Sequence, residues 1–393
     1  MAGPRRLACF FAVLLSLWLC LPTGVVRAEP ARWNVPPAPR LGAGSAIVMD
    51  WETGEILYTK DAYSRRDPAS TTKVLTALIV LERAKLNDQV KVSPGAANTP
   101  GSSMHIRAGE VYSVHDLLYG LLLRSGNDAA VALAEHVAGS VEAFAVLMNE
   151  KARALGAKGS HFVNPHGLTN AQHYSTAYDL AVITSHALRD ERFAGIVAQR
   201  QRPLTYENLG RQVVLHNTNA LLAFLPGADG VKTGTTAAAG RCLIASATRD
   251  EQRLMAVVLR AGNRFGEAAT LLSWAFDNFR LARLGRQGEV VASVPVRLGR
   301  RRAVSVELAH DLALVLPRKS AETPRLEVRI DSQLRAPLRR GQVVGKAVVT
   351  DGNAVRAESD LVAAHDVQER RLIDWLMQPF VPLIRWTSAA DFL

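Results

Sequence analysis

The stretch "DPASTTKVLTALIVLERAK", residues 67–85, begins with helix entry signals at Pro68 and Ser70 and continues with apolar residues at helical spacing. The third position after Ser70 is Lys73, although an acidic residue would suit the positive end of a helix better. Residues at i and i+3 share a helix face, so the pattern places a serine hydroxyl beside an amine. The pair is either a helix cap followed by a solvent-exposed lysine or a nucleophile with its base.

The second interpretation has a physical basis. A lysine accepts a proton near neutral pH if burial or a second positive group lowers its pKa, and the adjacent positive helix end acts in the same direction. Backbone N–H groups close to the serine could also stabilise an oxyanion. Ser-x-x-Lys is a common pattern, however, and alone it favours the cap.

Two further motifs favour catalysis. Ser125-Gly126-Asn127 interrupts an apolar helical segment, where packing does not explain a polar turn. Lys232-Thr233-Gly234 lies in "DGVKTGTTAAAGRC", which is typical of a strand at a sheet edge. Ser-x-x-Lys, Ser-x-Asn and Lys-Thr-Gly in this order are the signature of penicillin-recognising serine acyl-transferases.

The chain resembles a known family on these motifs and on neighbouring text. It is similar to the low-molecular-mass penicillin-binding proteins that are serine-type D-alanyl-D-alanine carboxypeptidases of the peptidase S11 type. The matching segments are "DPASTTKVLTA", "LLRSGNDAAVALAEHVAGS", "FVNPHGL", "YSTAYDLA", "HNTNALL" and "GADGVKTGTTAAAGRCLIASA". The resemblance is strong over about residues 40–280 and weaker beyond them.

The resemblance implies a role for each motif. Ser70 would attack the carbonyl of the penultimate D-alanine of a peptidoglycan stem peptide, with Lys73 as its general base. Ser125 would relay a proton to the leaving amine, and Asn127 would hold Lys73 and the substrate amide. Water would then release the acyl-enzyme, and penicillins would acylate Ser70 as inhibitors.

The resemblance also implies the residues that bind substrate. Lys232, Thr233 and Gly234 would surround the terminal carboxylate, with Arg264 as a partner. The N–H groups of Ser70 and Thr235 would form the oxyanion hole. Two positions depart from the family pattern: many relatives have His at the position of Thr235, and some have Arg at that of Thr218.

The order of elements predicts an α+β fold. Strand patterns lie at both ends of the region 40–283, in "SAIVMDWETGEILYTKD" and after Gly230, and helical patterns fill its middle. One antiparallel sheet covered by helices is the economical arrangement, because a doubly wound fold needs alternating strands and helices. Short strand patterns over 286–365 predict a small all-β domain, and 367–390 is an amphipathic segment.

The two ends of the chain indicate export. Residues 1–28 carry Arg5 and Arg6, a short apolar run and a small residue at a plausible cleavage site, which is typical of a signal peptide; a retained membrane anchor is the alternative. The C-terminal segment has large apolar residues flanked by arginines and predicts contact with a membrane surface, although docking on its own domain is possible. We therefore expect a periplasmic or extracytoplasmic location.

Charge and residue types limit the other partners. The net charge falls from +11 to +8 when the signal is removed, because it carries three arginines and no acidic residues. This suits an anionic membrane or wall polymer and does not support binding of nucleic acid. No Cys/His pattern predicts a metal or cofactor. We interpret most histidines, and Cys242, as loop or core residues.

Three other functions share the same motifs. A class A β-lactamase would need Glu-x-x-x-Asn before Lys-Thr-Gly, and no glutamate in that interval has Asn four residues on. An endopeptidase that cuts wall cross-links would use the same site. A sensor that is acylated without turnover would need a membrane span to pass its signal inward.

Overall fold

In this computed structural model the described residues are 35–370 except 207–209, 321–323, 331–332 and 352–353. The predicted signal peptide and most of the predicted amphipathic segment lie outside the described residues.

The described strands and helices follow the predicted order for most of the chain. The strands are β1 Ser45–Asp50, β2 Ile56–Lys60, β3 Gln89–Lys91, β4 Val111–Ser113, β5 Gln201–Tyr206, β6 Arg211–His216, β7 Ala228–Thr236, β8 Gly240–Arg249, β9 Gln252–Ala261, β10 Phe279–Gly285, β11 Val290–Arg297, β12 Ala303–Leu308, β13 Leu312–Pro317, β14 Arg325–Ile330, β15 Leu334–Arg335, β16 Val343–Asp351 and β17 Ala354–Ala363. The helices are α1 Lys73–Arg83, α2 Pro94–Ala97, α3 Val114–Leu122, α4 Asn127–Ala138, α5 Val141–Ala154, α6 Ala177–Ala187, α7 Glu191–Val197, α8 Leu221–Phe224 and α9 Arg264–Asn278.

The central sheet joins the two ends of the catalytic region, as predicted. Its strand order is β2-β1-β9-β8-β7, and neighbouring strands are antiparallel. The β1–β2 hairpin turns at Thr53 and Gly54, and β8 and β9 form the second predicted hairpin. Strand β7, which carries Lys-Thr-Gly, is an edge of this sheet, so one side of the motif is left open for another molecule.

Both faces of the sheet are covered by helices, because successive strand residues point to opposite sides. Ile47 and Val257 are buried in the cluster that includes α1. The next residues, Val48 and Val258, are buried against α9 on the other face. Helix α1 is buried from Lys73 to Leu81, so the predicted active-site helix lies at the centre of the domain.

The hairpin formed by β5 and β6 was not predicted, since we expected strand patterns to return only after Gly230. Its two strands pair from Gln201↔His216 to Tyr206↔Arg211. Leu204, Tyr206 and Leu215 are buried, which is the alternation of a half-buried ribbon. Pro203 and the polar residues between them hide this alternation in the sequence.

The second part of the molecule is rich in strands, as predicted. Its sheet has the order β14-β16-β17-β12-β11-β15, and β10 pairs separately with β13. Strand β10 follows α9 directly and crosses the predicted domain boundary at 283. Arg283 of β10 forms ion pairs with Glu52 and Glu251 on two turns of the catalytic region. The predicted boundaries themselves stay a prediction.

Within the part of the chain that the structure describes, no single helix combines the length and apolar content needed to cross a membrane. One bent pair, α4 and α5, would meet these two criteria if its members were counted together.

Candidate active site

Ser70 lies in a 3-10 helix, Ala69–Thr72, that leads directly into α1. In a 3-10 helix the side chains at i and i+3 are eclipsed, and this brings Ser70 and Lys73 together. The Nζ atom of Lys73 is 2.9 Å from Oγ of Ser70. Ala69, just before the serine, has a φ of 48°, a left-handed conformation that costs free energy and is concentrated at functional sites.

The amine of Lys73 has two further partners, both carbonyl oxygens. It is 2.7 Å from Oδ1 of Asn127 and 2.9 Å from the backbone oxygen of His166. These oxygens can only accept hydrogen bonds. A neutral amine has two N–H groups and one lone pair. In this neutral form the two carbonyls accept from both N–H groups and the lone pair faces the hydroxyl of Ser70, whereas a protonated amine would donate to that hydroxyl.

The electrostatic surroundings favour this neutral amine. Lys73 is completely buried, and burial together with the positive charge of Lys232 holds its pKa well below the ordinary value of 10.5. Burial and the charge of Arg264 likewise lower the pKa of Lys232 to about 7. The positive charge of Lys232 therefore disfavours the protonated form of Lys73.

Ser125 and Asn127 come from the polar turn between α3 and α4, as the sequence predicted. Ser125 is buried with a φ of 64°, and Asn127 begins α4. The side-chain amide of Asn127 donates to the carbonyl of Pro100 at 2.5 Å. That bond fixes which end of the amide is the donor, so the oxygen must face Lys73.

Asp128, the residue after Asn127, holds the loop around Asn127 in place, and this role was not predicted. Its carboxylate accepts a hydrogen bond from Oγ of Ser103 at 2.6 Å and from the N–H of Met104 at 2.9 Å. These contacts hold the loop that contains Pro100 against α4. The sequence pattern offered no signal for it, because an acidic residue in the first turn of a helix is expected on helix grounds alone.

Strand β7 passes very close to the serine. A Cβ atom placed on Gly234 would lie 2.9 Å from the backbone nitrogen of Ser70 and 3.0 Å from Cβ of Ala69. Only glycine allows the strand and the 3-10 helix to approach this closely. The hydroxyl of Thr233 is 2.6 Å from that of Thr218, which therefore belongs to the site although its residue type departs from the family pattern.

Arg264 reaches the same strand from the first residue of α9. Its guanidinium donates to the carbonyl of Gly234 at 3.0 Å and to Oγ1 of Thr235 at 2.7 Å. The structure thus places Arg264, a predicted member of the carboxylate site, next to the Lys-Thr-Gly motif. Together with Lys232 it gives this edge of the sheet a positive potential.

The loop before α6 completes the surroundings of Lys73 through its backbone, which sequence reasoning missed. A Cβ atom on Gly167, whose φ is 87°, would overlap the carbonyl of Ala69, so this loop packs directly on the 3-10 helix. His173 ties the two together. Its Nδ1 accepts from the N–H of Val163 at 3.1 Å, so the neutral ring carries its proton on Nε2, 2.9 Å from Oγ1 of Thr72.

The sequence also predicted loop or core positions for most histidines and for Cys242, and three of these side chains illustrate their surroundings. The ring of His166 accepts from the N–H of Leu168 at 3.1 Å, and burial lowers its pKa to about 3. His136 lies 3.7 Å from Asp88 on the surface. Cys242 is fully buried in β8. Among the described residues, no group of three or more His, Cys, Asp or Glu could hold a metal ion.

Comparison with known sequences assigns this geometry to a family. The sequence profile of the D-alanyl-D-alanine carboxypeptidases, peptidase family S11, matches residues 33–263. The chain belongs to this family. The profile of the C-terminal domain of penicillin-binding protein 5 matches residues 279–369, so the β-rich part is that of the same carboxypeptidases.

Individual members of the carboxypeptidase family are similar over most of their length. D-alanyl-D-alanine carboxypeptidase DacF of Bacillus subtilis is 35% identical over 85% of this chain and 88% of its own. D-alanyl-D-alanine carboxypeptidase DacA of Escherichia coli K12 is 34% identical over 93% of this chain and 96% of its own. The crystal structure of penicillin binding protein 5 from Haemophilus influenzae matches with a TM-score of 0.74 at 32% identity, covering 85% of this chain and 100% of that one.

Proposed function

We propose that the protein is a serine D-alanyl-D-alanine carboxypeptidase that removes the terminal D-alanine of peptidoglycan stem pentapeptides through an acyl-enzyme on Ser70. The observation that carries this proposal is the position of the Lys73 amine. It is buried, its pKa is held well below the ordinary lysine value, and it lies 2.9 Å from Oγ of Ser70 and within hydrogen-bond distance of two carbonyl oxygens.

Acylation then follows from the geometry. Lys73 takes the hydroxyl proton as Oγ of Ser70 forms a bond to the carbonyl carbon of the penultimate D-alanine. The N–H groups of Ser70 and Thr235 stabilise the oxyanion, which the close approach at Gly234 makes possible. As the C–N bond breaks, the proton passes from Lys73, by way of Ser125, to the amine of the departing D-alanine.

The substrate carboxylate binds at the edge strand. Thr233 donates a hydrogen bond to it from one side, and Lys232 and Arg264 supply the positive potential. A free carboxylate at the end of the peptide is therefore required.

Deacylation uses the same base. After the D-alanine leaves, Lys73 is neutral again and can take a proton from water as the water attacks the ester carbonyl of Ser70. The proton returns to Oγ when the ester breaks, which restores the free enzyme. Penicillins would acylate Ser70 in the same way and act as inhibitors.

The test is release of D-alanine from a pentapeptide that ends in D-Ala-D-Ala, with Ser70→Ala as the control. We expect release by the wild type only, and slow hydrolysis of a labelled penicillin that acylates Ser70. Rapid penicillin hydrolysis without D-alanine release would identify a β-lactamase instead. Cleavage of a cross-linked peptide dimer in preference to the pentapeptide would identify an endopeptidase.

We also propose that the mature protein works outside the cytoplasmic membrane and that the predicted amphipathic segment 367–390 binds a membrane surface through its part beyond residue 370, since Val367 and Arg370 bond to the β-rich domain. Its amphipathic pattern supports this. The test uses residues 371–393. Removing these residues should weaken binding to neutral and anionic lipid vesicles alike, because insertion of apolar side chains does not depend on lipid charge. Unchanged vesicle binding by the shortened chain would contradict the proposal.

A further inference from the structure

Arginines are concentrated at one end of the β-rich domain, which we call the basic end. It consists of residues 297–302, 335–340 and 366–370, and its arginines are Arg297, Arg300, Arg301, Arg302, Arg335, Arg339, Arg340 and Arg370. These segments contain only two acidic residues, Asp366 and Glu369, so their net charge is +6. More than half of the chain's excess of +11 is therefore found in 17 residues.

Backbone hydrogen bonds hold the three segments of the basic end together. The N–H of Ala336 donates to the carbonyl of Arg297, and that of Arg370 donates to the carbonyl of Leu298. The N–H of Arg340 donates to the carboxylate of Asp366. The charges thus belong to one compact surface of the folded domain and are not spread along the chain.

Several of these arginines lack a compensating acid. Arg297 and Arg335 are direct neighbours across β11 and β15, where like charges are unfavourable. Among the described residues, the exposed side chains of Arg301, Arg302 and Arg339 take part in no ion pair within 4 Å. Such an arrangement repels itself in the isolated protein, and an anionic partner would relieve that repulsion.

The tip of the basic end is apolar. Leu298, in the turn between β11 and β12, is 48% exposed and has a φ of 58°. It lies between Arg297 on one side and Arg300 on the other. An exposed leucine with exposed arginines on either side of it in the chain matches the boundary of a bilayer, where phosphates lie above the acyl chains.

The basic end lies far from the catalytic region. Arg356 near the start of β17 pairs with Glu55 of the catalytic region, and Ala363 at the end of the same strand bonds to Gly341 beside Arg340. Strand β11 runs from Val290, just after β10, to Arg297 at the basic end. Its length is roughly 25 Å at 3.3 Å per residue. A partner bound at the basic end would leave the catalytic region free.

We propose that the basic end is a docking surface for an anionic lipid bilayer, independent of the C-terminal segment. The arginines pair with lipid phosphates, and Leu298 enters the layer beneath them. We favour a bilayer over a soluble polyanion because the exposed Leu298 would contribute nothing to binding a soluble polyanion. The bilayer is also favoured because the described chain reaches Arg370 at this surface, directly before the amphipathic residues 371–393.

The test compares full-length variants in vesicle binding. The triple variant Arg301→Gln, Arg302→Gln, Arg339→Gln removes three charges of the basic end. The matched control, Arg286→Gln, Arg325→Gln, Arg329→Gln, removes three exposed arginines elsewhere in the domain. On vesicles with 30 mol% phosphatidylglycerol, the first should bind on the order of 100-fold more weakly than wild type, taking about 1 kcal/mol per arginine. The control should change binding severalfold at most.

Further binding measurements distinguish a lipid bilayer from a soluble polyanion. Wild type and triple variant should bind neutral phosphatidylcholine vesicles equally, and the difference on anionic vesicles should vanish in 1 M KCl. Leu298→Gln should weaken binding to anionic vesicles but not to soluble poly-aspartate. An equal loss in the triple variant and the control would overturn the proposal, and so would a Leu298→Gln variant that binds anionic vesicles like wild type. D-alanine release from a soluble peptide should be unchanged in every variant, so this result is separate from the proposed catalysis.

Discussion

Lys73 is the side chain whose burial has the most direct chemical consequence. Replacing it in Lys73→Met fills the same space but removes the lone pair that faces Ser70. We expect acylation by a labelled penicillin to slow by roughly 10²- to 10⁴-fold, the usual contribution of a general base. Stopped-flow or gel measurement of the labelled protein would check this. The control Lys91→Met, on an exposed strand position, should acylate normally, and a wild-type rate in Lys73→Met would refute the role of the amine.

The two lysines also predict a pH dependence. Below the pKa of Lys73 its amine is protonated and cannot take the proton of Ser70, so kcat/KM should rise as the pH increases through that value. Above about pH 7 the free enzyme loses the charge on Lys232 that attracts the substrate carboxylate, so kcat/KM should then fall. We therefore expect a rising limb from Lys73 and a falling limb above about pH 7 from Lys232.

A peptide whose C-terminal carboxylate is replaced by an amide separates the two limbs of this profile. It is a poor substrate, but the pH dependence of its acylation should keep the rising limb and lose the falling one. If both substrates show the same falling limb, the charge on Lys232 does not act on the carboxylate.

Among the contacts between strands and helices, that between β7 and the 3-10 helix leaves the least space for a larger side chain. Gly234→Ala places a methyl group 2.9 Å from the backbone of Ser70, which cannot move without disturbing the nucleophile. Loss of the oxyanion geometry should reduce kcat by about 10²- to 10³-fold. Gly195→Ala in α7 is the control, since its Cβ would meet open space. Steady-state D-alanine release from both variants measures the effect; equal rates would show that β7 does not form the oxyanion hole.

For the whole molecule, His173 couples folding to pH. Burial lowers its pKa to about 4, whereas the unfolded chain titrates near 6.5. Between these values the unfolded state binds a proton that the native state does not. The free energy of unfolding therefore falls as the pH drops through this window, by about 3 kcal/mol in total at about 1.4 kcal/mol per pH unit.

His173→Gln tests this coupling without breaking the contacts. Glutamine offers one acceptor for Val163 and one donor for Thr72, as the neutral imidazole does. We expect similar stability at pH 7 and a smaller loss in the variant between pH 6.5 and 4, measured by urea unfolding at several pH values. Other buried groups such as Asp50 titrate equally in both proteins, so the difference isolates His173. Parallel pH curves would contradict the assignment.

The elements that were predicted correctly are those with strong local patterns. The β1–β2 hairpin alternates around Thr-Gly, and α4 follows an interruption of polar residues in an apolar run. The β5–β6 ribbon has the same alternation, but Pro203 and its polar neighbours conceal it. Its strands owe their burial to contacts such as that of Tyr206 with Tyr112, which are distant in sequence.

In the candidate site, too, the predicted residues are those with a local signal, and the residues that were missed depend on distant contacts. Ser70, Lys73, Asn127 and Lys232 could be named because their residue types and spacing carry the chemistry. The backbone carbonyls of His166 and Pro100 could not be named, since every residue has a backbone carbonyl and nothing in its type shows where that carbonyl points. Asp128 and His173 were missed because their partners lie on other elements, whereas Thr218 was noted only as a departure from the family pattern.

The amino-acid sequence was sufficient for the order of elements, the α+β class and the three motifs, since these depend on local periodicity and on residue chemistry. The protonation state of Lys73 was not accessible in this way. It depends on complete burial, on the charge of Lys232 from an edge strand, and on two carbonyl oxygens, one on the Asn127 side chain at the start of α4 and one on His166 in the loop before α6. These oxygens come within 3 Å of the Lys73 amine only when the chain is folded. Electrostatic and hydrogen-bond energies depend on distance in space, and distance along the chain does not reveal them.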